Sequence, residues 1–201
     1  MLQFNFLLFG AESAKMQEMI GEFLHIRPKD LVGPIVSHQV SYKELLPLTI
    51  NFIFCHPPST IKTILEQLGL IHNALFVFDV TNADSFNAIP PQIISSVIKD
   101  LGTNRSILVG FNPPGSEGTR VAKDKILLYS QTNDFFYYFE VIPKSKYDFR
   151  ALFKRLIMEN LAEYKQQFPE KYQEELKQAR RAKLEAEKKA AEQEADAKEQ
   201  K

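Results

Sequence analysis

With 201 residues the chain is long enough to bury one core and carry an extension besides. Its 25 basic and 25 acidic side chains cancel to a formal charge of zero, so nothing in the balance points to nucleic acid or an anionic membrane surface. The single cysteine, Cys55, excludes an internal disulfide and suits a reducing compartment.

The N-terminal MLQFNFLLFG lacks a basic leader and alternates before turning wholly apolar, which reads as a strand entering a buried sheet over Leu2 to Phe9. From Ser13, a candidate N-cap, Met16, Met19, Ile20 and Phe23 recur at helical spacing, and Pro28 is expected to stop that helix. A breaker-rich stretch follows, with a short strand around Ile35 to Val40. The run LLPLTINFIFC is too short to span a bilayer, and LTINFIFC within it reads as a strand closed by His56-Pro57-Pro58. STIKTILEQLGL reads as a helix ended by Gly69, and NALFVFDV as a buried strand. PPQIISSVIKDLG is a helix with proline in its first turn, RSILVGF a buried strand and NPPGSEG a turn. DFFYYFEVI is the last strand and YDFRALFKRLIMENLAEY a last amphipathic helix.

Strands rich in Val, Ile and Phe that alternate with helices predict an α/β fold with a mostly parallel sheet and helices on both faces. After Phe168-Pro169 the composition shifts to Ala, Glu, Lys, Arg and Gln, the signature of a solvated helix outside the core. Phe168, Tyr172 and Leu176 are placed to dock its first turns, and Leu184 alone beyond them makes no coiled-coil seam. The division is residues 1–165 as one α/β domain and 166–201 as a charged helical tail.

The stretch LFVFDVTNADSFNAI carries Asp79, Val80, Thr81, Ser85 and Phe86 in a D-[IV]-T-x-x-x-S-F pattern. It resembles the fourth strand and following turn of the Ras superfamily, the Rab branch above all. ILVGFNPPG resembles the strand leading to the guanine-reading motif, and FEVIPKSKYDFRALFKRLI the last strand, base loop and final helix. The resemblance covers residues 2 to 162 in order and implies a Ras-like fold of the phosphate-loop type.

It also implies where nucleotide chemistry would sit, and each of those positions departs from the pattern. Gly10 matches the first glycine of the phosphate loop, but Lys15 stands at the second glycine, Met16 at the phosphate lysine and Gln17 at the magnesium hydroxyl. A looser alignment, with one residue deleted, makes Lys15 the phosphate lysine and displaces the helix's apolar face. No threonine stands in DLVGPIV for magnesium, and Ser37 and Ser41 lie beyond the expected place. Cys55-His56-Pro57-Pro58 replaces the D-T-A-G-Q run, removing its carboxylate, its glycine N–H and its water-orienting glutamine. Phe111-Asn112-Pro113-Pro114 replaces N-K-x-D, and Ile142-Pro143-Lys144 replaces S-A-K. Each lost charge-assisted contact removes about 1.5–3 kcal/mol.

No catalytic, cofactor-binding or metal-ligating residue is therefore assigned, and no cofactor is expected. Lys15 and Lys144 could hold an anion at the old pocket, though exposed loop lysines are the plainer reading. His25, His38, His56 and His72 show no ligand spacing, and Cys55 is expected buried, with no oriented base. Asp79 is read as structural. The basic residues Lys144, Lys146, Arg150, Lys154 and Arg155 offer either a solvated face or a surface for an acidic partner.

Pro-Pro at 57–58, 90–91 and 113–114 suggests stiffened loops where an active GTPase needs switching ones. The ending ADAKEQK carries no cysteine, so no lipid anchor by prenylation is expected. The expectation is a non-catalytic pseudo-GTPase in the cytoplasm that binds protein partners within a larger trafficking, ciliary or cytoskeletal assembly, without nucleic acid. The alternative is an atypical small GTPase that binds GTP or GDP through a non-consensus phosphate loop. A receiver-type signalling domain fails because no acidic cluster follows the first strand.

Overall fold

The computed structural model describes residues 2–10, 13–31, 33–42, 46–55, 66, 70–89, 91–92, 94–95, 99, 105–112, 120–145 and 147–199. Among them β1 (Leu2–Gly10), α1 (Ser13–Leu24), β2 (Ile35–Tyr42), β3 (Leu46–Cys55) and β4 (Asn73–Asp79) come first in chain order. A short helix α2 (Ala83–Asn87), β5 (Ser106–Phe111), α3 (Lys123–Thr132), β6 (Tyr137–Val141), α4 (Phe149–Gln167) and α5 (Pro169–Glu199) follow. Of the helices expected in STIKTILEQLGL and PPQIISSVIKDLG, residues 66, 91–92, 94–95 and 99 are described and helical, while the NPPGSEG turn beyond Asn112 and the Ser13 side chain lie outside the described residues.

The strands form one sheet in the order β2-β3-β1-β4-β5-β6, parallel throughout except where β2 runs antiparallel to β3. This is the expected α/β architecture with a mostly parallel sheet. Because side chains alternate across a strand, β1 feeds two cores. Phe4, Phe6 and Leu8 meet Met16, Met19 and Ile20 of α1 and Phe149, Phe153 and Leu156 of α4. Leu7 and Phe9 join Phe76, Phe78 and Leu108 on the other face, under Phe86 of α2 and Ile126 of α3. Phe153 sits 5.9 Å from Phe6 and 4.9 Å edge-on from Phe52, pinning α4 over the centre of the sheet.

Three sequence expectations need correction. Pro28 does not stop α1. His25 does, by taking a left-handed φ of 57° while the Ile26 N–H bonds back to the Gly21 carbonyl at 2.9 Å, and Pro28 instead opens a 3-10 turn. The helix α3 occupies a stretch between the NPPGSEG turn and the last strand for which the sequence predicts no element. Only Ile126 and Ser130 of it are buried, while Leu127 and Leu128 are 39% and 65% exposed, so its apolar residues trace no helical face.

The charged tail, expected to be a solvated helix with only its first turns docked by Phe168, Tyr172 and Leu176, packs further along, as far as Ala179. In α5, Tyr172 and Leu176 are half-buried and Ala179 closes against the α1–α4 side of the sheet, where α5 touches β3 and α4. Phe168, expected to dock, is 50% exposed, and Arg180 to Gln193 are all exposed.

Candidate functional site

In open α/β sheets ligands gather beyond the carboxyl ends of the strands. Here those ends are Gly10, Cys55, Asp79, Phe111 and Val141 on the parallel strands. At Gly10 the backbone of β4 comes so close that a Cβ would stand 2.5 Å from the Val77 carbonyl oxygen. Met16 has no solvent exposure and lies in the α1–α4 core, at the position the resemblance gives to a phosphate-binding lysine.

Asp79 is 7% exposed and turned into its own loop. One carboxylate oxygen accepts from the Thr81 N–H at 2.8 Å and from the Thr81 hydroxyl at 2.6 Å. Asn82 caps α2 by accepting from the Asp84 and Ser85 N–H groups, and the Asp79 N–H donates to Ser85 Oγ at 2.9 Å. This loop is a closed hydrogen-bonded turn. Lys144 sits exposed at φ 61° in a second turn, held by the Ser145 hydroxyl donating to the Ile142 carbonyl at 2.8 Å. Ser37 is away from the rim, mid-strand in β2, and donates to Asn51 Oδ1 at 2.7 Å. Pro57, Pro58, Pro113, Pro114, His56 and the side chains of Lys15 and Ser41 lie outside the described residues.

At the opposite, amino end of the sheet stands a polar network with no local signature in the sequence. Asn51 Nδ2 donates to Asn5 Oδ1 at 2.8 Å, Asn5 Nδ2 to the Leu70 carbonyl at 2.9 Å, and the Asn5 N–H to His72 Nδ1 at 3.1 Å. Nearby, Asn160 of α4 donates to Asn73 Oδ1 at 2.7 Å and accepts from Arg105 at 2.8 Å, while Arg105 also pairs with Glu163. Burial, aided by the Arg105 charge, lowers the His72 pKa to about 4, so the ring is neutral at pH 7. A cavity of ≈ 360 Å³ opens here beside Phe4, Tyr164 and Phe168. Of its polar side chains, His72, Arg105 and Asn160 join β1, β4 and α4, an arrangement of support.

A second concavity, ≈ 320 Å³, lies where the end of α1, β2, β3 and α4 meet. Val40, Leu48 and Ile157 floor it, Phe23 walls it, and His25, Arg150 and Lys154 stand around it. Arg150 and Lys154 reach it together because they are four apart on α4, with Ile157 next on the same face. Arg150 Nη2 donates to His25 Nε2 across 3.1 Å.

The basic cluster read from the sequence is thus divided. Arg155 turns away, bonds Glu159 at 2.8 Å and lies 4.1 Å over the Tyr137 ring. Burial, then the Glu159 charge, pushes the Tyr137 hydroxyl up to about 12. Lys146 lies outside the described residues. His25 joins Arg150 from 125 residues away, a pairing with no local signal in the sequence.

Among the described residues no three His, Cys, Asp or Glu side chains are grouped to hold a metal, and Cys55 is buried. No helix among them is long and apolar enough to cross a membrane. Against known proteins, no family model and no curated sequence matches the chain.

Proposed function

We propose that this chain is a Ras-like pseudo-GTPase, a non-catalytic domain that serves as a protein-binding subunit of a larger assembly. The observation that carries the reading is Met16. Where a phosphate loop needs an ammonium facing the ligand, this chain directs a thioether into the core with no solvent exposure. Asp79, at the end of β4, is taken up by Thr81, which leaves its carboxylate in a structural turn. The α/β order of elements and the D-V-T-x-x-x-S-F turn built around Asp79 and Ser85 support the Ras-like part of the proposal. Trafficking, ciliary or cytoskeletal machinery in the cytoplasm is the setting we infer from the resemblance.

The test is nucleotide content followed by titration. The purified chain is denatured and its supernatant chromatographed for guanine and adenine nucleotides. A non-hydrolysable GTP analogue with magnesium is then titrated by calorimetry. The expected result is no nucleotide and no heat up to roughly millimolar analogue, a binding free energy weaker than about −4 kcal/mol. Stoichiometric nucleotide, or an affinity near micromolar, would replace this reading with an atypical GTPase and make Lys15 the residue to mutate.

A further inference from the structure

We propose that the groove between the end of α1 and α4 docks an acidic segment of a protein partner, seating one apolar side chain between flanking carboxylates. The proposal rests on the binding-module reading and names the chemistry of its partner.

Two properties of the groove select that occupant. Its floor is apolar, from Val40, Leu48 and Ile157, and its rim is cationic, from Arg150 and Lys154 beside the His25 imidazole, with no carboxylate among the described residues that line it. Elsewhere in the α/β part each described arginine faces a carboxylate: Arg27 with Asp30, Arg105 with Glu163, Arg120 with Glu140 and Arg155 with Glu159. Arg150 has an imidazole nitrogen at 3.1 Å instead. It also stands in the first turn of α4, directly after the Asp148 cap and Phe149, where the helix dipole disfavours a cation. A carboxylate arriving at the rim would meet Arg150, Lys154 and the positive helix end together.

Opposite, His25 holds a left-handed backbone at φ 57°, a position that glycine fills without strain. The chain keeps a side chain there, and it reaches the groove. The volume, ≈ 320 Å³, is at the small end of ligand pockets, which span about 300–1,000 Å³. It suits one anchoring side chain whose neighbours cross the rim. The two cations, Arg150 and Lys154, fall short of the about four to eight that hold a polybasic segment on an anionic membrane, so a peptide is favoured over a lipid surface.

The experiment uses the full chain and short fluorescein-labelled peptides with Asp or Glu on both sides of a central Phe or Leu. Matched peptides carry Lys in place of the acids, or Ser in place of the apolar residue. Binding is read by fluorescence anisotropy, and its location by methyl shifts of Val40, Leu48 and Ile157 in nuclear magnetic resonance. The acidic, Phe- or Leu-bearing peptides are expected to bind and to shift those methyls. Arg150→Glu with Lys154→Glu is expected to weaken them at least about tenfold and to admit the Lys peptides.

Both side chains are exposed, so the double variant should keep its fold, which circular dichroism checks. If it does not, the wild-type methyl map and the single Lys154→Gln variant still decide. Equal binding of acidic and basic peptides, shifts confined to other methyls, indifference to charge reversal, or binding only to phosphatidylserine vesicles would each overturn the proposal. The two readings fail separately. Nucleotide binding together with peptide binding would retire the pseudo-GTPase and keep the groove, whereas neither nucleotide nor peptide binding would retire the groove alone.

Discussion

Met16 and His72 show how single side chains set what this protein can and cannot do. Restoring a lysine at position 16 would place an ammonium among Phe6, Leu8 and Phe153 with no partner. Met16→Lys is expected to cost more than about 3 kcal/mol, or to abolish folding, without conferring nucleotide binding; urea melts and the calorimetric titration check both halves. His72 makes stability depend on pH. Its folded pKa, about 4, lies below the ordinary 6.5, so folding favours the neutral ring. Its contribution is complete above about pH 6.5 and is lost as pH falls toward 4, by at most about 3 kcal/mol. Urea midpoints at pH 7 and pH 4.5 should therefore fall more steeply for the wild type than for His72→Gln. Neither effect was readable from the sequence in full. The apolar spacing of Met16 was plain, but the setting of His72 depends on Asn5 of β1 and on Arg105, just before β5, meeting it in space.

Elements differ in how firmly they are held, and the reasons are local. α4 opens with Asp148 accepting from the Ala151 N–H at 3.0 Å, so Asp148→Ala should cost about 1 kcal/mol, measured as a shift in the denaturant midpoint. Close approach of β1 and β4 makes Gly10→Ala a collision with a backbone carbonyl at 2.5 Å. At Gly110 the nearest atoms belong to side chains, the Tyr138 hydroxyl at 2.5 Å and Val80 Cγ1 at 2.7 Å, so side chains and not a backbone carbonyl would have to shift. Gly10→Ala is thus expected to destabilise by about 1 kcal/mol or more beyond Gly110→Ala, and thermal melts of the pair would show it. In α5 the boundary falls near Ala179. Truncation after Lys183 should leave the melting temperature unchanged within about 2 °C, while truncation before Tyr172 should lower it, since Tyr172 and Ala179 pack against the core and Leu176 is half-buried.

For the molecule as a whole, one sheet serves both cores, because alternate residues of each central strand point to opposite sides. Neither core can be lost while the other stays packed, so the α/β part is expected to unfold in one transition. Tyrosine fluorescence and far-ultraviolet circular dichroism should share a midpoint, apart from an early helical loss from the exposed turns beyond Arg180; two separated tyrosine transitions would contradict this. The sequence by itself determined the α/β class, the core strands β1, β3, β4 and β5, α1, α4 and the charged tail. Those elements carry their signal within a window of ten or so residues, as uninterrupted apolar runs, helical spacing or a break in composition. Only the tertiary structure decided the strand order, the existence of α3, the docking of α5 through Ala179, and the meeting of His25 with Arg150 and Lys154. Each of these depends on contacts between residues far apart in the chain, where shape and partner, not local pattern, decide the free energy.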